Sequence, residues 1–261
     1  MTDGSVPPDA PPGRRIDVVL VAGGLYHDID FARLELLKLL SEHEELRVRV
    51  QPDYEDADAI AAAEILVSYT CDVRPSERSQ QIIRGWVEGG GRWVALHGTS
   101  SALEQTPDGW VAPKTFPVWI DTLGSQFIAH PPIQPYKVEN VAPDHWLVAG
   151  IDAFEATDEL YLNDYPDRGS LVPLLQTSYQ GGARGFARDD WNHCDPAHLV
   201  MYLRPLGDGA VLYNTLGHCR GHYDLVPLKD YYPNVDRCAW DLPVFTELLR
   251  RSVRWARGET S

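Results

Sequence analysis

The sequence predicts an α/β protein built on a mainly parallel sheet flanked by helices. Three observations carry that expectation. Apolar runs recur at Ile16–Ala22, Ile65–Tyr69 and Arg92–Leu96, as strands buried on both faces require. Segments of helical apolar spacing lie between them. Short joints marked by glycine end the strands and helices, so the two alternate along the first hundred residues.

Taken in order, Ile16–Ala22 (IDVVLVA) stops at Gly23-Gly24 and reads as the first strand. Leu34, Leu36, Leu37, Leu39 and Leu40 follow on a helix begun by Asp30, and Leu46–Val50 alternates with period two. Ile65–Tyr69 is the third strand. Arg74–Val87 carries a helical pattern through Ile82, Ile83, Trp86 and Val87, Gly89-Gly90-Gly91 ends it, and Arg92–Leu96 is the fourth strand. From about Phe116 the pattern loosens into shorter strands at Tyr136–Val141, Glu159–Leu162, Leu171–Gln176, Leu199–Leu203 and Val211–Thr215. Pro205–Gly209 is a turn feeding a hairpin, and Leu242–Ala256 spaces its apolar residues as a closing amphipathic helix. The expected organisation is a disordered tail over 1–15 and one domain over 16–261. An irregular insertion over 110–200 is expected to cover the carboxyl ends of the strands.

Composition narrows the function. A chain of 261 residues, 44% hydrophobic and 10% aromatic, buries about 75% of its unfolded surface and needs no staples. Lys and Arg number 23 against 38 Asp and Glu, a net charge of −15 that repels phosphate backbones and anionic membranes. Four scattered cysteines form neither a disulfide framework nor a Cys-x-x-Cys pair, and no apolar run approaches the ~18 residues needed to cross a bilayer. These features predict a cytoplasmic protein with reduced thiols, no nucleic-acid partner and no membrane partner. The absence of a Gly-x-Gly-x-x-Gly or Walker loop predicts no nucleotide cofactor.

In an open α/β sheet, ligands bind beyond the carboxyl ends of the strands. Three such ends carry polar clusters: Gly24 with His27 and Asp28, His97-Gly98-Thr99-Ser100, and Gly217-His218. The segment at His97 resembles a nucleophile elbow in which His replaces the usual Ser or Cys, leaving Ser100 and Ser101 as weaker nucleophiles. His130, ahead of Pro131-Pro132, is oriented by its fixed neighbour. Asp158 and Glu159 are expected to open a strand with one carboxylate on each face, so that one of them faces the site as general base or metal oxygen. Three imidazoles and a carboxylate suit zinc or another divalent first-row metal, although no His-Glu-x-x-His spacing is present, and a strand-end His equally well bonds a neighbouring carbonyl. Of His218 and His222, four apart, one is expected to be functional and one to lie at the surface. His193, Cys194 and His198 flank a turn. Trp110, Trp119, Tyr161, Tyr165 and Trp191 are core residues by default, with one or two suited to stacking on a sugar ring, and the Trp- and Tyr-rich insertion offers a surface for homo-oligomer formation.

The order of these pieces resembles the ThuA-like (trehalose-utilisation) family over roughly residues 16–257. The resemblance is carried by His27-Asp28, Gly89–Thr99, Phe127–Pro132, Asp144-His145 before Gly150-Ile151, Thr157–Tyr161 and Gly209–His218. It implies a flavodoxin-like, class I glutamine amidotransferase-like fold, in which His97 stands at the amidotransferase Cys position and His218 at its His position. Without the Cys, glutaminase activity is not implied. What is implied is a role in carbohydrate catabolism on disaccharides or their 3-keto derivatives. The reading is a cluster of His97, His130 and His218 acting as metal site or electrophile, with Glu159, or else Asp158, as base. Gly24, His27, Asp28, Thr99, Ser100 and Tyr161 line the sugar pocket. Isomerisation and elimination share the proton abstraction this set would perform. The competing readings are a metal-free hydrolase using Ser100 or a water activated by His218, and a sugar-binding module without catalysis.

Overall fold

The computed structural model describes residues 14–188, 191, 197–222 and 228–261. The first half alternates as expected: β1 (Ile16–Gly24), α1 (Ile29–Leu40), β2 (Leu46–Gln51), α2 (Ala57–Ala61), β3 (Ile65–Cys71), α3 (Glu77–Glu88) and β4 (Arg92–Leu96). A small hairpin follows, β5 (Glu104–Thr106) and β6 (Gly109–Val111), then α4 (Pro117–Leu123), β7 (Gln126–Ala129), β8 (Gln134–Asn140), β9 (Phe154–Asp158) and β10 (Leu162–Asp164). The chain closes with β11 (Val172–Ser178), β12 (Ala197–Leu206), β13 (Gly209–Asn214), α5 (Leu228–Tyr231) and α6 (Pro243–Ala256).

Nine strands form one sheet in the order β2-β1-β3-β4-β13-β12-β11-β8-β9. The pairings from β2 to β13 are parallel, and those from β13 to β9 are antiparallel. The sheet is therefore mixed, and the segment expected to be an irregular insertion is what builds its antiparallel half, with β7 and β10 pairing separately beside it. Short strands with one polar face carry little of the continuous apolar signal that marks a doubly buried strand.

Alternation along β1 divides its side chains between two cores. Val18, Leu20 and Ala22 pack with Leu36 and Leu40 of α1 and with Phe245, Leu248 and Val253 of α6. Val19 and Val21 pack on the other face with Ile60 of α2, Ile83 and Val87 of α3, and Ile120 and Leu123 of α4. Each fully buried Val or Leu here contributes about 1.5–3 kcal/mol relative to exposure. Asp28, and not Asp30, caps α1 by accepting the Phe31 N–H at 3.1 Å, while Asp30 sits in the first turn and pairs with Arg33.

One further expectation changes. β9 ends at Asp158 and β10 begins at Leu162, so Asp158 and Glu159 close a strand where they were expected to open one. Of the expected tail over 1–15, only Arg14 and Arg15 are described, and they pair with Glu64 and Asp17. His193 and Cys194 lie outside the described residues. Among the described residues no helix is long and apolar enough to cross a membrane.

Candidate active site

Register places the site. Gly24 lies beside Cys71 at the ends of β1 and β3, and Asn214 beside Leu96 at the ends of β13 and β4, so the loops after these strands emerge together. The Gly pair ending β1 is dictated by crowding. A Cβ on Gly23 would fall 1.9 Å from the Pro52 carbonyl oxygen, and one on Gly24, at φ +107°, would fall 1.8 Å from that of Cys71. The chain then turns through Tyr26, itself at φ +68°, and delivers His27. At β4 the elbow forms as expected: His97 holds a left-handed φ of +40°, and the absent Cβ of Gly98 lets the turn pass the Thr70 carbonyl.

Five side chains converge. The His97 Nδ1–H donates to the Thr215 carbonyl at 2.8 Å, which leaves its Nε2 as a bare lone pair 2.9 Å from Nε2 of His27. His27 is fixed in the same tautomer by the Leu25 carbonyl, 3.3 Å from its Nδ1. The Oε2 of Glu159 stands 3.4 Å from His97 Nε2, 3.4 Å from His218 Nδ1 and 3.9 Å from His27 Nε2. Its Oε1 faces the other way, 3.3 Å from His130 Nε2, whose Nδ1–H donates to the Pro131 carbonyl. Both ring nitrogens of His218 are buried without a hydrogen-bond partner, and its side chain is 2% exposed; that of His130, at 24%, is the most open of the five.

Burial pushes the Glu159 carboxyl upward, but the imidazoles of His130, His218 and His97 around it outweigh that and hold the group well below the usual carboxylate range. His27 is driven well below the ordinary imidazole value by burial first and by His97 and His218 second, so it is a neutral ligand-type ring. Burial raises the Asp158 carboxyl, opposed by His97, His218 and main-chain N–H groups.

Donor atoms of His27, His97, Glu159 and His218 all lie within 4.8 Å of one another. A tetrahedral ion with bonds of about 2.0–2.1 Å separates its ligand atoms by roughly 3.4 Å, close to the spacings here. Carbonyls that hold the far nitrogen of His27 and His97 supply the outer support such ligands use. The unpartnered nitrogens of His218 are consistent with the same reading. The donor set thus fits a divalent cation of the zinc class. His130, expected among the ligands, lies on the opposite oxygen of Glu159, and His27, expected in the sugar pocket, joins the imidazoles.

Other expected site residues are engaged inside the protein. The Thr99 hydroxyl donates to the Leu96 carbonyl, Asp28 caps α1 and pairs with Arg237, and Tyr161 packs 4.4 Å from the His97 ring, its hydroxyl accepting from Ser101. The Ser100 hydroxyl accepts from Tyr213 at 2.7 Å. His222 is exposed while His218 is in the cluster, and Trp110 and Trp119 contact Tyr26 and Trp93. Sequence reasoning missed the carbonyls of Leu25, Thr215 and Pro131, since a main-chain acceptor has no residue-type signature. It also missed Tyr69, whose hydroxyl donates to the Gly217 carbonyl and whose ring stacks on His97.

Comparison with known proteins agrees with this architecture. A ThuA-like protein from Parabacteroides merdae ATCC 43184 superposes with a TM-score of 0.61 at 16% identity, covering 95% of this chain and 92% of that one. One from Bacteroides uniformis ATCC 8492 does so at 0.64 and 15%, covering 98% and 97%. A β-galactosidase from Rahnella sp. R3 superposes at 0.54 and 12% over 94% of this chain but 31% of its own. At such identities the likeness shows the fold alone. No curated protein matches the chain. The sequence profile of ThuA, described as trehalose utilisation, matches residues 17–228, and the chain belongs to this family.

Proposed function

We propose that the protein is an enzyme of carbohydrate catabolism that removes a proton beside the carbonyl of a keto-sugar, of the 3-keto-disaccharide or 3-keto-glycoside type. The observation supporting this reading is Glu159, a carboxylate kept ionised under near-complete burial by the imidazoles of His130, His218 and His97. A ring proton next to a carbonyl is removable when a base stands within reach and the oxygen that gains charge is stabilised. Oε1 of Glu159, on the side of His130, is the base. As it takes the proton, the C–H electron pair forms the enediolate double bond and the carbonyl pair moves onto oxygen. His218, whose ring nitrogens are both unpartnered, donates an N–H to that oxygen. Delivering the proton to the former carbonyl carbon, as the hydroxyl proton on the deprotonated carbon passes to the new oxyanion, yields an isomer, while expulsion of a β-oxygen substituent yields an alkene. His130, the most exposed of the group, exchanges the proton with solvent. A divalent cation held by His27, His97, His218 and Oε2 of Glu159 would polarise the carbonyl.

Ser100 is a weaker nucleophile in this setting because its hydroxyl is taken up by Tyr213. The test is an NMR time course with 3-keto-trehalose and simple 3-keto-glucosides in deuterated water. Loss of the carbon-2 proton is the expected result, seen as deuterium at carbon 2 of recovered substrate, at carbon 3 of an isomer, or as the unsaturated ketone. Turnover that keeps the carbon-2 proton, or no turnover of any keto-sugar, removes the proposal.

A further inference from the structure

Asp158 has the residue type of an alternative base, yet its surroundings differ from those of Glu159. It ends β9 with no exposed surface. Its Oδ1 accepts the main-chain N–H groups of Glu159 at 2.7 Å and His218 at 3.1 Å, and its Oδ2 those of Gly217 at 2.9 Å and Ala239 at 3.2 Å. A carboxylate offers about four lone-pair directions, and here four donors fill them. A base needs a free lone pair and a path to substrate; Asp158 has neither.

The four donors come from three stretches of chain: the residue after β9, the loop after β13, and the turn before α6. Gly217 adopts φ +110°, and Cys238, just ahead of Ala239, adopts φ +45°, so two left-handed turns present their N–H groups inward. Convergent N–H groups of this kind form an anion-binding concavity, occupied here by a side chain of the protein itself. Two of the four belong to Glu159 and His218, and both bond the same oxygen. One atom therefore sets where the Glu159 main chain, from the antiparallel half of the sheet, stands relative to the His218 main chain, from the parallel half.

We propose that Asp158 is a positioning residue that holds the Glu159 carboxylate and the His218 imidazole in mutual register. The inference depends on the proposed function only in taking those two groups as the working ones, and its test needs no substrate. Asp158→Asn keeps the shape but removes the charge and turns an amide N–H₂ toward two N–H donors, which it repels. In protein labelled with ¹⁵N-histidine and stripped of metal, the expected result is a shift of the His218 ring-nitrogen signals, with those of His43 and His145 at wild-type positions. His218 signals unmoved in a folded Asp158→Asn protein overturn the proposal. Should the variant not fold, hydrogen exchange in the wild type decides. Slow exchange of the Gly217 and His218 amides, which lie outside every helix and strand, supports the carboxylate clamp, and exchange at the rate of free loops refutes it. A keto-sugar that is turned over with its carbon-2 proton retained would sink the reaction proposed above and leave this result standing.

Discussion

The two halves of the sheet contribute different chemistry. The parallel half, β2-β1-β3-β4-β13, ends in loops that carry His27, His97 and His218, rings whose outward nitrogens are buried. The antiparallel half brings the carboxylates, Asp158 and Glu159 following one another at the end of β9, and the separate β7–β10 pair beside it carries His130. The parallel half is a tightly packed bed in which Gly23 and Gly24 are dictated by main-chain approaches under 2 Å from any added carbon, and the other half supplies the carboxylate proposed to react. Under that proposal the site separates the holding of charge from the movement of protons.

The largest expected effect is on the antiparallel side. Glu159→Gln keeps the size of the side chain and removes the base, so deuterium transfer should fall by about 10²–10⁴-fold with the fold intact by circular dichroism. Retained exchange would place the base elsewhere. On the parallel side, Gly24→Ala should cost about 2–4 kcal/mol in thermal or urea unfolding, through left-handed strain and overlap with the Cys71 carbonyl. A neutral result would show that this bed yields.

The comparison sharpens with metal. Purified protein should carry a divalent cation in near-equal amount by elemental analysis. His97→Ala should weaken its binding by at least about 10–100-fold, the loss typical of even a supporting residue. His130→Ala should leave binding unchanged, and equal losses from both variants would join the two halves into one ligand set. Smaller is the effect of acid on metal-free protein. Folded His27, held neutral by burial and facing His97, His218 and Glu159, has its pKa below the ordinary value near 6.5. The unfolded chain therefore binds more protons between the two values, and stability, complete above about pH 6.5, falls as the pH drops, by at most about 1.4 kcal/mol per unit for one group. Urea midpoints from pH 7.5 to 5 should decline, and less steeply in His27→Gln. Ser100→Ala should do least: about 0.5–1.5 kcal/mol for the hydrogen bond with Tyr213, and no loss of turnover. Inactivity of a folded Ser100→Ala would instead favour a hydrolase.

Legibility followed the same division. β1, β3 and β4 could be read almost to the residue because strands buried on both faces must be continuously apolar, and their polar ends then marked His27, His97 and the elbow. The antiparallel half was legible in part: strands expected at Tyr136–Val141, Leu171–Gln176 and Leu199–Leu203 lie at β8, β11 and β12, whereas Phe154–Asp158 mixes in polar residues, so β9 was expected five residues too late and the pairing of these strands into the main sheet was not foreseen. That error put Asp158 and Glu159 on opposite faces of one strand, where in fact one grips main chain and the other meets the imidazoles. The roles of His27 and His130 depend on which side of Glu159 each ring approaches, a distance between loops that no local pattern encodes.

Glu159 shows one oxygen to three rings no more than 3% exposed and the other to the partly exposed His130. Such a group stands as a bulkhead between a dry side and a wetter one. Under the proposed reaction, alterations around His130 would retune how fast protons leave, while the electrostatic furniture behind the wall stays in place.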